Sequence, residues 1–471
     1  MTICAPWRFC AEHKGVLIWA IRNKGSRRIR WPIALSASLV GLVVAIAIVA
    51  ALAGALLPAD DRVASEGRSV AATVIFIGSY LALAIGRIPG LSIDRAGIAL
   101  VGAGLMVAAG ALSLEDAYRA VDLDTLTLLL GMMIVVASLR LSGFFALATA
   151  WVGEHARRPL LLLAAVIVIS GVFSAFLVND AICLVLTPLV LELTIAHGRR
   201  PVPYLLAVAM ASNVGSTATI TGNPQNIMIG SVSQIPYASF AAALAPVALA
   251  GLVVTLVLIA LFNRDEFTGA VRWQKPESKL NANSVLVSRA VLATAILVAL
   301  FFAGMAPAKA AIIIGGLLLL TRRVKSSRVY AEIDWSLLLM FAGLFIIVAG
   351  AEHALLGPDI VAALNRLQLD QIPVLTAVTA VLSNLVSNVP AVLMLKPFVV
   401  GLKDHDTAWL VVAMSATLAG NFTVLGSIAN LIVIQRASAS GVAISFWDYF
   451  KIGAPLTILT LAIGTLWLWL R

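Results

Sequence analysis

Two apolar stretches, 204 residues apart, are each broken at the centre by a run of small, hydroxyl and amide residues. The first, residues 209–230, reads AMASNVGSTATITGNPQNIMIG, and the second, residues 413–434, reads AMSATLAGNFTVLGSIANLIVI. At that offset Ala209 meets Ala413, Met210 meets Met414, Thr219 meets Thr423, Gly222 meets Gly426 and Asn226 meets Asn430. The flanking sequence is hydrocarbon, so these polar groups lie at membrane depth. In lipid every backbone N–H and C=O needs a partner, and a break such as Thr221-Gly222-Asn223-Pro224 is tolerated there only where it lines a cavity or is held inside protein. Interrupted helices at matching places in two halves are the pattern of a secondary transporter's binding site.

The rest of the chain agrees. It is 61% hydrophobic and 12% charged, with a mean hydropathy of +1.01, whereas soluble domains carry about 25% charged residues. A polytopic all-α membrane protein follows, with the lipid bilayer as its main partner. The net charge of +10 does not imply nucleic acid, because the Lys and Arg lie in short loops between apolar runs, where they set topology. Cys4, Cys10 and Cys183 form no disulfide or metal-ligand pattern, and the five histidines form no zinc cluster. No HExxH spacing, paired-aspartate motif or P-loop occurs. Neither an enzyme nor a resident cofactor is therefore expected; sodium or protons could serve as coupling ions. A channel would need a continuous pore.

Residues 1–30 form a basic tail expected in the cytoplasm. The apolar run 33–57 is too long for a signal-peptide core and is expected as span 1. Spans 2, 3 and 4 are expected near 70–86, 93–112 and 124–141, with an amphipathic arm, Phe144 to Trp151, continuing the fourth. Two apolar arms, 160–178 and 181–195, pinch at Val178-Asn179-Asp180 and carry basic residues at both outer ends, which predicts a re-entrant hairpin. Span 5 is the first broken helix, span 6 covers about 239–262, and a polar linker follows. Spans 7 and 8 are expected near 286–303 and 307–321, span 9 opens at Asp334-Trp335, a second hairpin occupies 374–402, span 10 carries the second break and span 11 covers about 448–470. The organisation is thus a tail at 1–30, scaffold at 31–152, transport half 1 at 153–262, linker at 263–285, scaffold at 286–357 and transport half 2 at 358–471.

Landmarks pair the halves in order. Asp122/Asp334, Leu126/Leu338, Gly131/Gly343 and Ile134/Ile346 share an offset of 212, and Ser174/Ser383, Asn179/Asn388 and Pro188/Pro397 share one of 209. Five spans per repeat is an odd number, so the second copy is inverted. Charge agrees: Arg87, Arg95, Arg157, Arg158, Arg199, Arg200, Arg322 to Arg328 and Arg436 fall on the expected cytoplasmic side of a bacterial-type inner membrane. Trp31, Trp335, Trp409 and Trp447 fall at span ends, as in an interfacial aromatic belt.

Asp180 is the one carboxylate at a hairpin pinch, where an ionisable group is by default a functional candidate; the alternative is an N-cap for the second arm. It is the candidate coupling residue. Asn179, Ser387 and Asn388 share the tips with it; amides there can coordinate a small cation, while helix N-termini can face an anion. The first break adds Ser212, Asn213, Gly215, Ser216, Thr217, Thr219, Thr221, Gly222, Asn223 and Asn226. The second adds Thr417, Gly420, Asn421, Thr423, Gly426, Ser427 and Asn430. Any one hydroxyl could simply bond back to its own helix, but packing alone does not require paired Gly-Asn-Pro breaks opposite paired tips. Lys396 either holds an anion's charge or, the favoured reading, snorkels to the surface.

The segments FLVNDAICLVLTP, ASNVGSTATITGNPQNIMIG, LSNLVSNVPAVLMLKP and LAGNFTVLGSIAN resemble the ion-transporter superfamily of citrate transporters, arsenite permeases, sodium/proton antiporters and divalent-anion/sodium symporters, over about residues 70–471. The resemblance implies a homodimer in which a transport domain, made of the hairpins and spans 5, 6, 10 and 11, moves as an elevator against a scaffold. It places the tip motif on Asn179-Asp180 and Ser387-Asn388, and the helix breaks on Gly222-Asn223-Pro224 and Gly426-Ser427. The tips depart from the Ser-Asn-Thr of sodium/dicarboxylate symporters and look more like the arsenite-permease and antiporter branches. The expected function is ion-coupled transport of a small anion, with sodium/proton antiport as the alternative.

Overall fold

The computed structural model describes residues 62–85, 93–156, 158–268, 283–320, 323–355 and 368–471. The basic tail, span 1, Arg87, Arg157, Arg322, Trp31 and most of the linker lie outside these residues. The described residues are helical and contain no strand. Among the described residues, eight helices are long and apolar enough to cross a membrane, and five shorter apolar helices accompany them.

Span 2 is Arg62–Ile85 and span 3 is Arg95–Ala108, started by the Asp94 side chain, which accepts from the Gly97 N–H. Span 3 is shorter than its hydropathy predicts, because the chain turns at Gly110 with φ +68°. Span 4 is Leu123–Ser142, capped by Asp122. The amphipathic arm does not continue it: Gly143, at φ 86°, ends span 4 and a separate helix, Phe144–His155, begins. Prolines at the first or second position open many of the segments that follow, where the missing N–H costs nothing.

Hairpin 1 consists of Pro159–Phe176 and Asn179–Ala196, and hairpin 2 of Ile372–Val386 and Asn388–Val399; in each the two arms pack on one another. Broken helix 1 runs Pro201–Ser216, a single 3₁₀ turn at Ile220–Gly222, and Pro224–Ser233. Broken helix 2 runs His405–Ala419, a 3₁₀ turn at Val424–Gly426, and Ile428–Ala439. Each break falls at the position the repeat predicts. Spans 6 and 11 are Tyr237–Phe262 and Phe446–Leu470, each with an internal proline, Pro246 and Pro455.

The inverted repeat appears in the packing of the other spans. Span 9 (Trp335–Leu355) lies along span 3, and span 8 (Pro307–Leu319) along span 4. Both pairs are parallel: a Cβ on Gly343 would meet Ala99 while one on Gly350 would meet Met106, and Gly131 meets Ala311 while Gly315 faces Ile134. Each crossing is too close for a side chain, since the added Cβ would stand 2.6 Å from the Ala99 or Ala311 carbonyl carbon. Gly131 and Gly343, matched across the halves by sequence, therefore make the same contact twice.

Two expectations fail at the edges. Trp409 is not interfacial: it is 1% exposed and among the largest fully buried side chains, because it sits in the second turn of a helix, His405–Ala419, whose face there is buried. Trp335 and Trp447 do stay exposed. Glu266, expected in the polar linker, is buried and lies 3.6 Å from Arg199 and 3.3 Å from the Tyr204 hydroxyl. The linker's first turn is thus tied back to the start of broken helix 1.

Candidate functional site

Every residue from Pro203 to Ile229 is buried, so the first break lies in the centre of the protein. Its polar groups cannot reach water and are satisfied by one another, as buried groups must be. Asn226 donates to the carbonyls of Ser216 and Thr219 at 3.2 and 2.9 Å, and Asn430 donates to those of Gly420 and Thr423 at 2.8 and 3.2 Å. These are the same two bonds at an offset of 204: one asparagine in each half closes the break.

The halves are also joined to each other. The Asn213 amide donates to Asn421 and Asn430 and accepts from Ser427 and Asn179, all at 2.9 to 3.1 Å. Thr417, its counterpart in the other half, accepts from Asn223 and Gln225 at 3.1 Å. Asn213 thus bonds the second break and Thr417 the first, an exchange that follows the pseudo-twofold symmetry. Asn223 also caps the second arm of its helix by accepting from the Asn226 N–H at 2.8 Å.

The predicted site residues accordingly separate into two groups. Ser212, Asn213, Ser216, Thr217, Thr219, Thr221, Asn223, Asn226, Thr417, Asn421 and Asn430 are buried in mutual bonds. Thr423 lends its carbonyl to Asn430, and Gly420 and Gly426 approach each other's backbone. Gly215 and Gly222 leave no room for a side chain against Gly171 and Ser216. Only Asn179, Asp180, Ser387, Asn388 and Ser427 line a shared cleft. Pro224, Gln225 and Ile428 also line it, so both hairpin tips and the second arms of both broken helices converge there.

The tips are not identical. Hairpin 1 turns through Val178 at φ −56°, without a side-chain cap; Asp180 is not the cap but lies in the first helical turn. Hairpin 2 turns through Ser387 at φ 78° and ψ 160°, a region that glycine almost alone occupies. The Asn388 amide, oriented to satisfy its neighbours, donates to the carbonyls of Ala416 and Gly426 and accepts from Gln225, each at 3.2 Å. Asn179 is 3% exposed, and its Oδ1 has no partner among the described residues.

Asp180 and Leu337 also line a second cavity, with Arg140, Glu332 and Asp334. Arg140 and Glu332 form an ion pair there. A third cavity lies by the starts of spans 4 and 8 and is lined by Asp124, Leu128, Pro307 and Lys309, among others. At the offset of 212, Leu128 and Pro307 correspond to Met340 and Arg95 of the cleft. The third cavity is therefore the cleft's counterpart in the other half of the repeat, and no described tip residue lines it.

Residues 80–414 match the family model described as citrate transporter. The chain belongs to the citrate transporter family. Among other members, it is 30% identical to the uncharacterized transporter Rv2685 of Mycobacterium tuberculosis, across 86% of this chain and 99% of that one. It is 28% identical to the silicon efflux transporter LSI3 of Oryza sativa subsp. japonica, across 85% and 98%. Its fold resembles the crystal structure of the Alcanivorax borkumensis YdaH transporter, with a TM-score of 0.51, 14% identity and coverage of 86% and 97%. This citrate transporter family member is thus a multi-pass membrane transporter.

Sequence reasoning missed Gln225 and Arg95 as cleft residues. Gln225 stands within the GNPQN run and could have been drawn from it. Arg95 carries no such signal, since an arginine before an apolar span reads as a topology charge. Lys396 neither snorkels freely nor reaches the cleft: its Nζ lies 3.8 Å from Glu352 of span 9.

Proposed function

We propose that this protein is a secondary active transporter of a small anion, coupled to sodium or protons, that works by an elevator-type movement of the hairpins and broken helices as a homodimer in a bacterial-type inner membrane. The convergence of both tips and both broken helices on one cleft carries this reading. Four helix starts, at Asn179, Asn388, Pro224 and Ile428, border that cleft, and the positive ends of their dipoles favour an anion there. Asn179 Oδ1 and the Asp180 carboxylate supply oxygens for the coupling cation beside them. One-sidedness supports alternating access: the tips line the cleft by the starts of spans 3 and 9 and leave the matching cavity by spans 4 and 8 without them. With the arginine-rich loops inside, this is an inward-facing state.

Sodium/proton antiport is the second reading, favoured by the acid-lined cavity in which Asp180 meets Glu332 and Asp334. One experiment separates the two. Purified protein in proteoliposomes with an entrapped pH dye is adsorbed to a solid-supported membrane and exposed to jumps of sodium alone, then of citrate, sulfate and arsenite. Silicic acid joins the panel because one relative is named as a silicon efflux transporter. An anion-dependent signal supports the first reading. A sodium-dependent pH change that needs no anion, and is lost in Asp180→Asn, replaces it with the second.

A further inference from the structure

We propose that Arg95 is the counter-charge for the anion in this conformation and that, belonging to the scaffold, it remains in place when the hairpins carry the anion across. The inference rests on the anion reading above and adds to it a residue that acts at one membrane face only.

Arg95 lines the cleft together with Asn179, Asp180, Gln225, Asn388 and Ser427. It is partly buried, and no ion pair or hydrogen bond engages its guanidinium among the described residues. A guanidinium drawn from water without a carboxylate partner is costly, and its five donors match a carboxylate or a tetrahedral oxyanion in bidentate fashion. The unpartnered Oδ1 of Asn179 in the same cleft is an acceptor, and it suits a cation bound beside the anion, not the anion itself.

The position of Arg95 is set by span 3, not by the hairpins. Arg95 is one turn before Ala99, on the same helical face, and Ala99 is held against Gly343 at a crossing too close for a side chain. Span 9 then carries Leu337 and Met340 along the cleft wall beside Arg95. Spans 3 and 9 are thus one rigid unit, while the tips that face Arg95 belong to the other. At the matching position of the opposite half stands Pro307, and the cation lining that cavity, Lys309, is a point charge without Arg95's fork that shares the cavity with the Asp124 carboxylate.

Charge balance gives the coupling. Arg95 and Asp180 neutralise each other formally in the cleft, so an anion on Arg95 leaves its own negative charge in excess unless Asp180 takes up a cation. The anion and the cation are therefore bound together. Once the tips leave Arg95, the anion exchanges the guanidinium fork for a cavity in which Lys309 is offset by Asp124, and its affinity differs between the two faces.

The test uses the full-length protein in oriented vesicles, with citrate, sulfate and arsenite applied separately to each face, comparing wild type, Arg95→Gln and Arg95→Lys. For an anion that wild type transports, Arg95→Gln should raise the half-saturating concentration about tenfold or more on the arginine-rich face, the size of a lost charged hydrogen bond. The opposite face should be unchanged. Arg95→Lys, which keeps the charge without the fork, should fall between and serves alone if the glutamine variant does not fold. Equal changes on both faces, or none, overturn the role of Arg95 and leave the anion reading intact. Wild-type silence toward every anion overturns both.

Discussion

The side-chain amide of Asn213 donates to Oδ1 of Asn430 at 3.0 Å, although the two residues are 217 positions apart. Asn213 is 1% exposed and Asn430 fully buried, so neither can exchange this bond for water. The two halves are thereby locked into one body at their breaks. Replacing Asn213 with alanine would orphan groups on Asn179, Asn421, Ser427 and Asn430 together. Each buried orphan costs about 1–3 kcal/mol. A fall of several degrees in the thermal midpoint of the purified protein is expected; an unchanged midpoint would show that the network does not hold the halves together.

Asp180 lies where the cleft and the acid-lined cavity meet. Asp180→Asn keeps the shape and removes the charge that a coupling cation needs. Substrate binding, measured by protection against thermal unfolding with the anion that wild type transports, should survive at altered affinity, while uphill accumulation in proteoliposomes should be lost. Accumulation at the wild-type level would rule Asp180 out as the coupling residue.

The Lys396–Glu352 pair joins hairpin 2 to span 9, and the Tyr80 hydroxyl of span 2 donates to the Pro390 carbonyl of the same hairpin at 3.3 Å. Pairs this exposed contribute little to stability, on the order of 0–1 kcal/mol. Both contacts must break if the hairpins slide past the scaffold. Cysteines at positions 352 and 396, bridged by a short bifunctional reagent, should stop transport, and reduction of a cleavable reagent should restore it. Full transport in the bridged protein would contradict the elevator.

Gly131 and Gly343 make the two scaffold crossings, where a Cβ would press within 2.6 Å of backbone. Gly343→Val should separate span 9 from span 3, lowering the yield of monodisperse protein and displacing Arg95. Gly104, with nothing near its missing Cβ, should accept alanine without effect. Size-exclusion profiles in detergent test the contrast.

Ser387 holds a backbone geometry that suits glycine, a strain of about 1–3 kcal/mol in other residues. Ser387→Gly should leave transport intact and raise the thermal midpoint, whereas the β-branched Ser387→Val should impair both. A loss of transport in the glycine variant would instead give the Ser387 hydroxyl a direct part in binding.

Much of this was legible along the chain. A helix break is written locally, in Gly222-Asn223-Pro224 and Gly426-Ser427, because only such residues release the backbone from a helix and supply a new cap. The repeats were legible too, since Asn226 and Asn430 close their breaks with the same bonds and Gly131 and Gly343 admit the same close crossing. These are short-range requirements of backbone hydrogen bonding and steric fit, and they leave residues of one type at one spacing. Which polar residues face a cavity is a different matter. Asn213 and Asn388 look alike in sequence, yet one is consumed by the opposite half and the other lines the cleft. Arg95 looks like a loop charge and Lys396 like a free cation, and each is reassigned by a neighbour more than 40 positions away, while Trp409 looks like a membrane anchor and is buried by the packing around its helix. Hydropathy and local pattern determined the spans, the breaks and the repeat. Only the tertiary packing, which chooses partners by proximity and not by chain distance, decided which groups were spent on holding the halves together and which remained to meet a solute.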